Sequence, residues 1–350
     1  MACSKCTEVP HVPEGVKSVY VSASHEYILD KIYNILMADS YDVKKLGSYI
    51  VFETDCFSAF IERCASDASL TELEKRNISI LPLGRDEALD FGKASAAKSL
   101  DSWNTLILSK DLIWILENGS FTVHFQPIID TATMSIYGYE CLSRGVLPDM
   151  SIMSPGKMFD AAAKTGMLFN LDRQCRETAI KTAAVKNISR NIFVNFLPTS
   201  IYNPEFCLKD TVKWANQLEF DPSTIVFEVV ETEKVDSTEH LQNILRFYKD
   251  KGFRTAMDDV GSGYSSLNLF ASLSPDIIKI DMELVRDVHR NVMKQSVARA
   301  LVSMAKEAGC SVLAEGIETA DEFEWFRALG IDYAQGYYFG KPSSEPLRQI

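Results

Sequence analysis

The sequence predicts an α/β protein: a barrel of alternating strands and helices whose first strand runs antiparallel, preceded by a small α/β domain. Three observations predict it. From Phe121 onward, strand-like and helix-like runs alternate over about 240 residues, the pattern of a parallel sheet closed into a barrel. The first two strand-like runs, Phe121 to Ile129 and Ser135 to Leu142, flank the short turn Asp130-Thr-Ala-Thr, which reads as an antiparallel hairpin. Carboxylates recur at the C-terminal ends of the later strands, where barrel enzymes keep their chemistry.

Composition sets the bounds. A chain of 350 residues that is 46% apolar has material for two cores, divided as an N-terminal sensory or regulatory domain over 1–92, a linker helix region over 93–110 and a barrel over 111–350. A net charge of −12 argues against a duplex nucleic-acid surface, which needs Lys and Arg on phosphates. The start Met-Ala-Cys-Ser-Lys-Cys has no apolar core, and the hydrophobic run Leu106 to Leu116 is interrupted by Lys110 and Asp111, so a cytoplasmic protein without membrane insertion is expected.

In the N-terminal domain, Val16 to Val21, Tyr49 to Phe52 and Ile78 to Leu83 read as strands, the last broken near its end by Pro82. Tyr27, Ile28, Lys31, Ile32, Ile35 and Leu36 fall at helical spacing, and Cys56 to Cys64 is a second helix. No phosphate loop, chromophore signature or catalytic constellation is visible there. Cys3 and Cys6 have the spacing of half a zinc knuckle, a candidate structural Zn²⁺ site. Zinc needs four ligands, which Cys56, Cys64, His11 or His25 could supply only through folding. An amphipathic helix over Leu106 to Leu116 links the halves.

After the hairpin, helices are predicted from Gly156 to Lys164 and Asp172 to Lys186, strands at Asn191 to Phe196 and Thr224 to Val230, and a helix at Glu239 to Lys251. The strand Phe253 to Met257 then stops at Asp258 and Asp259, before a Gly-Ser-Gly turn. Strands at Ile277 to Ile280, Ser311 to Ala314 and Ala334 to Phe339 and helices at Val292 to Ala308 and Asp321 to Leu329 complete the barrel.

Two adjacent carboxylates repel and resist desolvation, so each needs a cation or a raised pKa. Consecutive strand residues face opposite sides, and both Asp can address one site only where the backbone turns. Glu140, Asn195, Glu228, Glu231, Lys279, Glu315 and Gln335 stand at or near other strand ends. Oxygen ligands without Cys or His select Mg²⁺ or Mn²⁺. Glu140, Asn195, Glu228 and Asp258 can hold one ion, and Asp258 with Asp259 a second. Two ions about 3.5–4 Å apart suit in-line displacement at phosphorus.

The motifs Glu140-Cys-Leu-Ser-Arg144, Asn195, Glu228-Val-Val-Glu231, Asp258-Asp-Val-Gly-Ser-Gly-Tyr-Ser-Ser-Leu267, Lys279-Ile-Asp281, Ala314-Glu-Gly-Ile-Glu318 and Gln335-Gly-Tyr-Tyr-Phe-Gly-Lys-Pro342 together resemble the EAL-domain phosphodiesterases, from about Asp111 to about Pro342. The resemblance implies a modified TIM barrel and metal-dependent hydrolysis of cyclic di-GMP to linear pGpG. It implies Glu140, Asn195, Glu228, Asp258 and Asp259 as ligands of two Mg²⁺ or Mn²⁺ ions. Lys279 would orient the attacking water, and Glu315 would serve as general base or hold metal-bound water. Gln126 and Gln335 would contact guanine or ribose, Leu142 would line that pocket, and Arg144 would grip a phosphate. Glu231 would anchor the loop Asp259 to Leu267 near a homodimer interface. Cys141 stands where the family has Ala, which removes no ligand; Val260 stands where the family has Phe and Phe196-Leu-Pro where it has Leu-Ser, changes that bear on the shape of the loop and the pocket. The competing reading is a catalytically silent EAL module acting as a cyclic di-GMP receptor or protein-interaction regulator; silent members should lack a ligand, the Lys or the base, and none is missing here.

Overall fold

The computed structural model describes residues 9–218, 220–229, 238–261 and 266–350; Cys3, Cys6 and Glu231 lie outside them. The described residues form two compact units, Val9–Glu117 with Asp160–Met167, and Asn118–Phe159 with Leu168–Ile350.

The first unit is built on an antiparallel sheet of β1 (Lys17–Ala23), β2 (Lys44–Leu46), β3 (Tyr49–Thr54), β4 (Ile78–Gly84) and β5 (Lys98–Ser99), in the order β2-β3-β1-β4-β5. Alternation sets its faces: Val19, Val21, Ile50 and Phe52 are buried, against helices Glu26–Ala38 and Phe57–Ala65. Phe60 meets Phe52 edge-on at 4.9 Å, and Trp103 meets Phe57 at 5.0 Å. The buried indole of Trp103 donates to the Ile80 carbonyl at 3.0 Å, so its polar edge costs nothing. Strand β4 runs on through Pro82, because β5 pairs only with Ser79 and Ile80 and leaves the proline without a ladder partner on that side. The predicted linker helix is two helices, Leu100–Leu108 and Lys110–Asn118. Between them the Ser109 hydroxyl donates to the Thr105 carbonyl at 2.8 Å, the back-bonding by which serine competes with helical propagation.

The second unit is the barrel. Its strands are β6 (Phe121–Asp130), β7 (Ser135–Val146) with the two-residue β8 (Ile152–Met153) on its edge, β9 (Asn191–Phe196), β10 (Ile225–Val229), β11 (Arg254–Val260), β12 (Ile277–Ile280), β13 (Ser311–Ala314) and β14 (Tyr333–Gln335). Their order, β6-β14-β13-β12-β11-β10-β9-β7, closes through β6–β7. β6 is antiparallel to both neighbours, and the other six pairings are parallel. An eight-stranded barrel with a reversed first strand is thus what the chain forms.

The last strand is shorter than its predicted span to Phe339. It ends at Gln335 because the chain crosses the backbone of Ile317: a Cβ at Gly336 would lie 2.0 Å from the Ile317 carbonyl oxygen, an approach open only to glycine. The Tyr338 amide then donates to that carbonyl at 3.0 Å.

One apolar residue per strand plugs the interior: Ile128, Phe193, Val226, Ala256, Ile277 and Leu313, with Tyr137 and Tyr333 packed against them and stacked on each other at 3.8 Å. A larger core lies between the barrel wall and its helices. Within that outer layer, helix Leu168–Val185 carries a buried ion pair, Asp172 with Arg176 at 3.1 Å. Asp172 also accepts from the Leu197 amide at 2.8 Å and the Ser200 hydroxyl at 2.6 Å, fixing the segment that follows β9. Among the described residues no helix is long and apolar enough to cross a membrane.

Candidate active site

The apolar plug dictates where the polar residues go. Side chains on a strand return to the same face every second residue, so each plug residue is followed, two positions on, by one facing the barrel mouth. Phe193 leads to Asn195, Val226 to Glu228, Ala256 to Asp258, Ile277 to Lys279, Leu313 to Glu315 and Tyr333 to Gln335. On the reversed β6 the step runs backward, from Ile128 to Gln126. On β7 the register slips beside Tyr137, with Ile128 opposite Gly138 and Ile129 opposite Ile136. That bulge shifts the parity and turns Glu140 inward.

Asp259 has the wrong parity for the site. The β11–β12 register shifts between Met257 and Val260, and Asp259 takes a left-handed backbone, φ +52°. The irregularity brings its carboxylate beside its neighbour's, so that oxygens of Asp258, Asp259 and Glu315 lie within 4.8 Å of one another. Such a backbone costs about 1–2 kcal/mol for a residue with a Cβ, repaid here by the Asp259 amide donating to Asp258 Oδ1 at 3.0 Å. The predicted strand end at Asp258 is therefore a bulge, and β11 continues to Val260.

Lys279, 1% exposed, is the hub. Its ammonium lies 2.8 Å from Glu228, 3.0 Å from Asp258 and 2.7 Å from Glu315. Glu228 is fully buried, and neither of its oxygens has an aligned hydrogen-bond donor. Burial pushes the Glu228 carboxyl well above the usual range, opposed by Lys279 and reinforced by Glu140 and Asp258. Glu315 is raised in the same way, by burial and then by Asp258. Asp259 is raised to about 6 by burial, then by Asp258 and Asp281.

A second group adjoins this one. Glu140 accepts from Asn195 Nδ2 at 3.0 Å and from Gln335 Nε2 at 2.6 Å. Gln126 stands directly across the ladder from Glu140, and its amide nitrogen lies 3.5 Å from the Gly340 carbonyl. Leu142 and Arg144 continue the same face of β7 toward the rim, both half-buried, with Arg144 Nη1 donating to the Ser143 carbonyl at 2.9 Å. One residue stands in the sequence motifs only as the end of one, with no role assigned: Asp281, whose carboxyl is hydrogen-bonded to Asp259 while its Oδ1 caps the Glu283 amide at 2.8 Å. Its signal was present, two residues after Lys279 in Ile-Ile-Lys-Ile-Asp.

The donor set fits hard divalent cations. It is all oxygen apart from Lys279, it gathers three carboxylates within one ion's reach, and Glu228 Oε2 is buried without a partner, as a ligand awaiting a cation would be. The zinc candidates Cys3 and Cys6 lie outside the described residues. Of the side chains named as completing that site, His11 pairs with Glu117 at 2.9 Å, His25 Nδ1 meets the Ser24 hydroxyl at 3.0 Å, and burial pushes the Cys64 thiol up to about 12, away from the thiolate zinc needs.

The raised carboxyl of Asp259 makes a prediction for the metal-free protein. A carboxyl whose folded pKa is about 6, against about 3.9 unfolded, binds more protons in the native state between those values. Its contribution to stability therefore falls as pH rises from 4 to 6. In EDTA, Asp259→Asn should lose this dependence, so its gain in melting temperature over the parent is larger at pH 7 than at pH 4.5. Equal gains at both values would show that the carboxyl is not raised.

Comparison with known proteins agrees with this geometry. The EAL domain family model matches residues 108–342. The probable cyclic di-GMP phosphodiesterase PdeB of Escherichia coli is 33% identical over 243 residues, 67% of this chain and 45% of that protein. Cyclic di-GMP phosphodiesterase PdeR of Escherichia coli is 29% identical, over 68% of this chain and 36% of its own length. The chain thus spans less than half of these curated relatives. A standalone EAL protein from Vibrio cholerae O395, solved in a c-di-GMP bound form, is 36% identical over 66% of this chain and 95% of its own, with a TM-score of 0.60. BlrP1 of Klebsiella pneumoniae, solved as a calcium/cy-diGMP complex, covers 96% of this chain and 98% of its own with a TM-score of 0.60; at 20% identity this shows the fold alone.

Proposed function

The chain belongs to the EAL-domain family, and from that premise we propose that it hydrolyses cyclic di-GMP to linear pGpG with two Mg²⁺ or Mn²⁺ ions. The observation that carries the reading is the buried set Glu228, Asp258 and Glu315 around Lys279, with Asp259 turned in beside them. Glu140, Asn195, Glu228 and Asp258 would hold one ion, and Asp258 with Asp259 the other. When bound, the ions supply positive charge to the phosphoryl oxygens and acidify water.

Lys279, held by three carboxylates, would orient the attacking water once one of those contacts is released. Glu315, whose carboxyl burial raises above the usual range, would take that water's proton or hold metal-bound water. One P–O bond forms to water and one ester P–O bond opens, giving a 5′-phosphate and a free 3′-hydroxyl. Gln126, Leu142 and Gln335 would receive guanine or ribose, and Arg144 a phosphate, for which its planar fork is shaped. Glu231 would anchor the loop after Asp259. A homodimer through the barrel is part of the same proposal, supported by Val292, Met293 and Val297 exposed on one helix. The preceding unit is assigned a regulatory role.

The test is incubation of the protein with cyclic di-GMP and Mn²⁺ or Mg²⁺, with and without EDTA, resolving products by chromatography. Metal-dependent pGpG is expected. Binding without turnover in either metal would establish the receptor reading instead. Sedimentation at the assay concentrations should give a dimer, and a monomer with undiminished activity would remove that part. Equal turnover with and without residues 9–92 would remove the regulatory role.

A further inference from the structure

The β6–β7 hairpin is a ladder whose inner face is read residue by residue. Gln126 stands opposite Glu140, His124 opposite Leu142, and Thr122 opposite Arg144. Gln126 and Glu140 face the interior, as the bonds of Glu140 to Asn195 and Gln335 require. Phe125 faces the other way, into the outer core with Tyr139. By the period of two, His124 shares the inner face with Gln126, one step nearer the mouth.

His124 is half-buried and makes no hydrogen bond among the described residues. Burial and the neighbouring Arg144 push its pKa down, so the ring is neutral at pH 7 and offers one N–H donor and one bare nitrogen acceptor. A half-buried rim position occupied by an imidazole with neither nitrogen engaged lacks an internal reason. Its surroundings name the chemistry of what it meets. Across the ladder is Leu142, all carbon, and along the strand is the Gln126 amide, whereas the cation suited to a phosphate, Arg144, lies one step farther out. An apolar wall beside neutral donors and acceptors matches a flat purine with a polar edge.

We propose that His124 is a specificity-determining residue of the base subsite, hydrogen-bonding the edge of a guanine that packs against Leu142. The inference rests on the cyclic di-GMP reading above. Guanine presents the acceptors O6 and N7 where adenine presents an amino donor in place of O6, so an imidazole that presents its N–H to O6 favours guanine.

The experiment compares the full chain with His124→Ala, His124→Gln and His124→Phe, measuring kcat and KM for cyclic di-GMP and cyclic di-AMP, and Mn²⁺ affinity by calorimetry. His124→Ala should raise KM for cyclic di-GMP roughly tenfold, the worth of one neutral hydrogen bond, with kcat within about twofold. The preference for guanine over adenine should shrink by a similar factor, and Mn²⁺ affinity should not change. His124→Gln, which keeps a donor and an acceptor, should recover most of the loss. His124→Phe, which keeps only the ring plane, should not. If the parent binds without turnover, dissociation constants carry the same comparison. Unchanged KM and unchanged base preference in His124→Ala would overturn the assignment, as would a fall in kcat alone. A parent that neither binds nor cleaves cyclic di-GMP would overturn the underlying reading and this inference with it.

Discussion

Replacing Lys279 by methionine is expected to destabilise the metal-free protein by about 3–5 kcal/mol at pH 7.5, the range for removing one partner of a buried ion pair, and to abolish turnover. The ammonium is the only cation within 3.0 Å of Glu228, Asp258 and Glu315 among the described residues. Methionine has similar length and stays on the inner face above Ile277, but leaves three carboxylates facing one another without a cation. Two conditions should offset the loss. Lowering the pH to 5 should recover stability, because the raised carboxyls of Glu228 and Glu315 take up protons in the native state before they do in the unfolded chain. Saturating Mn²⁺ should also recover it, since a bound cation replaces the missing charge. Thermal melts of parent and variant in EDTA and in Mn²⁺, at both pH values, measure all three effects. A variant as stable as the parent in EDTA at pH 7.5 would show that the three carboxylates do not depend on Lys279.

Glu140→Ala is expected to remove turnover altogether, by more than the roughly 10–100-fold that loss of an outer-shell metal partner costs. It deletes a proposed ligand and also frees the Asn195 and Gln335 amides that Glu140 holds at 3.0 and 2.6 Å. Because Gln335 is only 3% exposed, its abandoned donor carries a desolvation penalty of about 1–3 kcal/mol. Glu140→Gln separates the two effects. It keeps an acceptor and the side chain's shape, so its melting temperature should stay near the parent's while its turnover falls with that of Glu140→Ala. A Glu140→Ala protein with parental kcat and KM would show that Glu140 is no part of the reaction.

Much of the barrel was legible because strand periodicity and strand ends are local. Asn191–Phe196, Ile277–Ile280 and Ser311–Ala314 occupy their predicted spans, since short β-branched runs between helices leave few alternatives. The polar residues that meet at the barrel mouth could be picked out as candidates too, because polar side chains at the ends of apolar strands conflict with burial unless they have partners. What escaped depends on contacts distant in sequence. The left-handed turn at Asp259 and the bulge beside Tyr137 follow from neighbouring strands, and no local propensity announces either. The short helices Pro204–Cys207, Lys209–Gln217 and Met282–Val285 carry too few turns for periodicity to register. The buried Asp172–Arg176 pair reads locally as an ordinary exposed i,i+4 pair. Val260 illustrates the converse: the sequence points to it as a determinant of loop shape, yet it is fully buried in the outer core.

The seam of the barrel has a consequence for biosynthesis. β6 meets β7 across a short turn, but it meets β14 only after the rest of the unit has been made, and the Gln335–Glu140 hydrogen bond joins residues 195 positions apart. Loop-closure entropy must be met before such a contact returns anything. A nascent chain emerging from the ribosome can therefore assemble the hairpin carrying Gln126, Glu140 and Arg144 early, yet the ring of polar side chains at the barrel mouth is not closed until its eighth strand docks. Any property that needs Gln335 beside Glu140 therefore begins only when that strand docks.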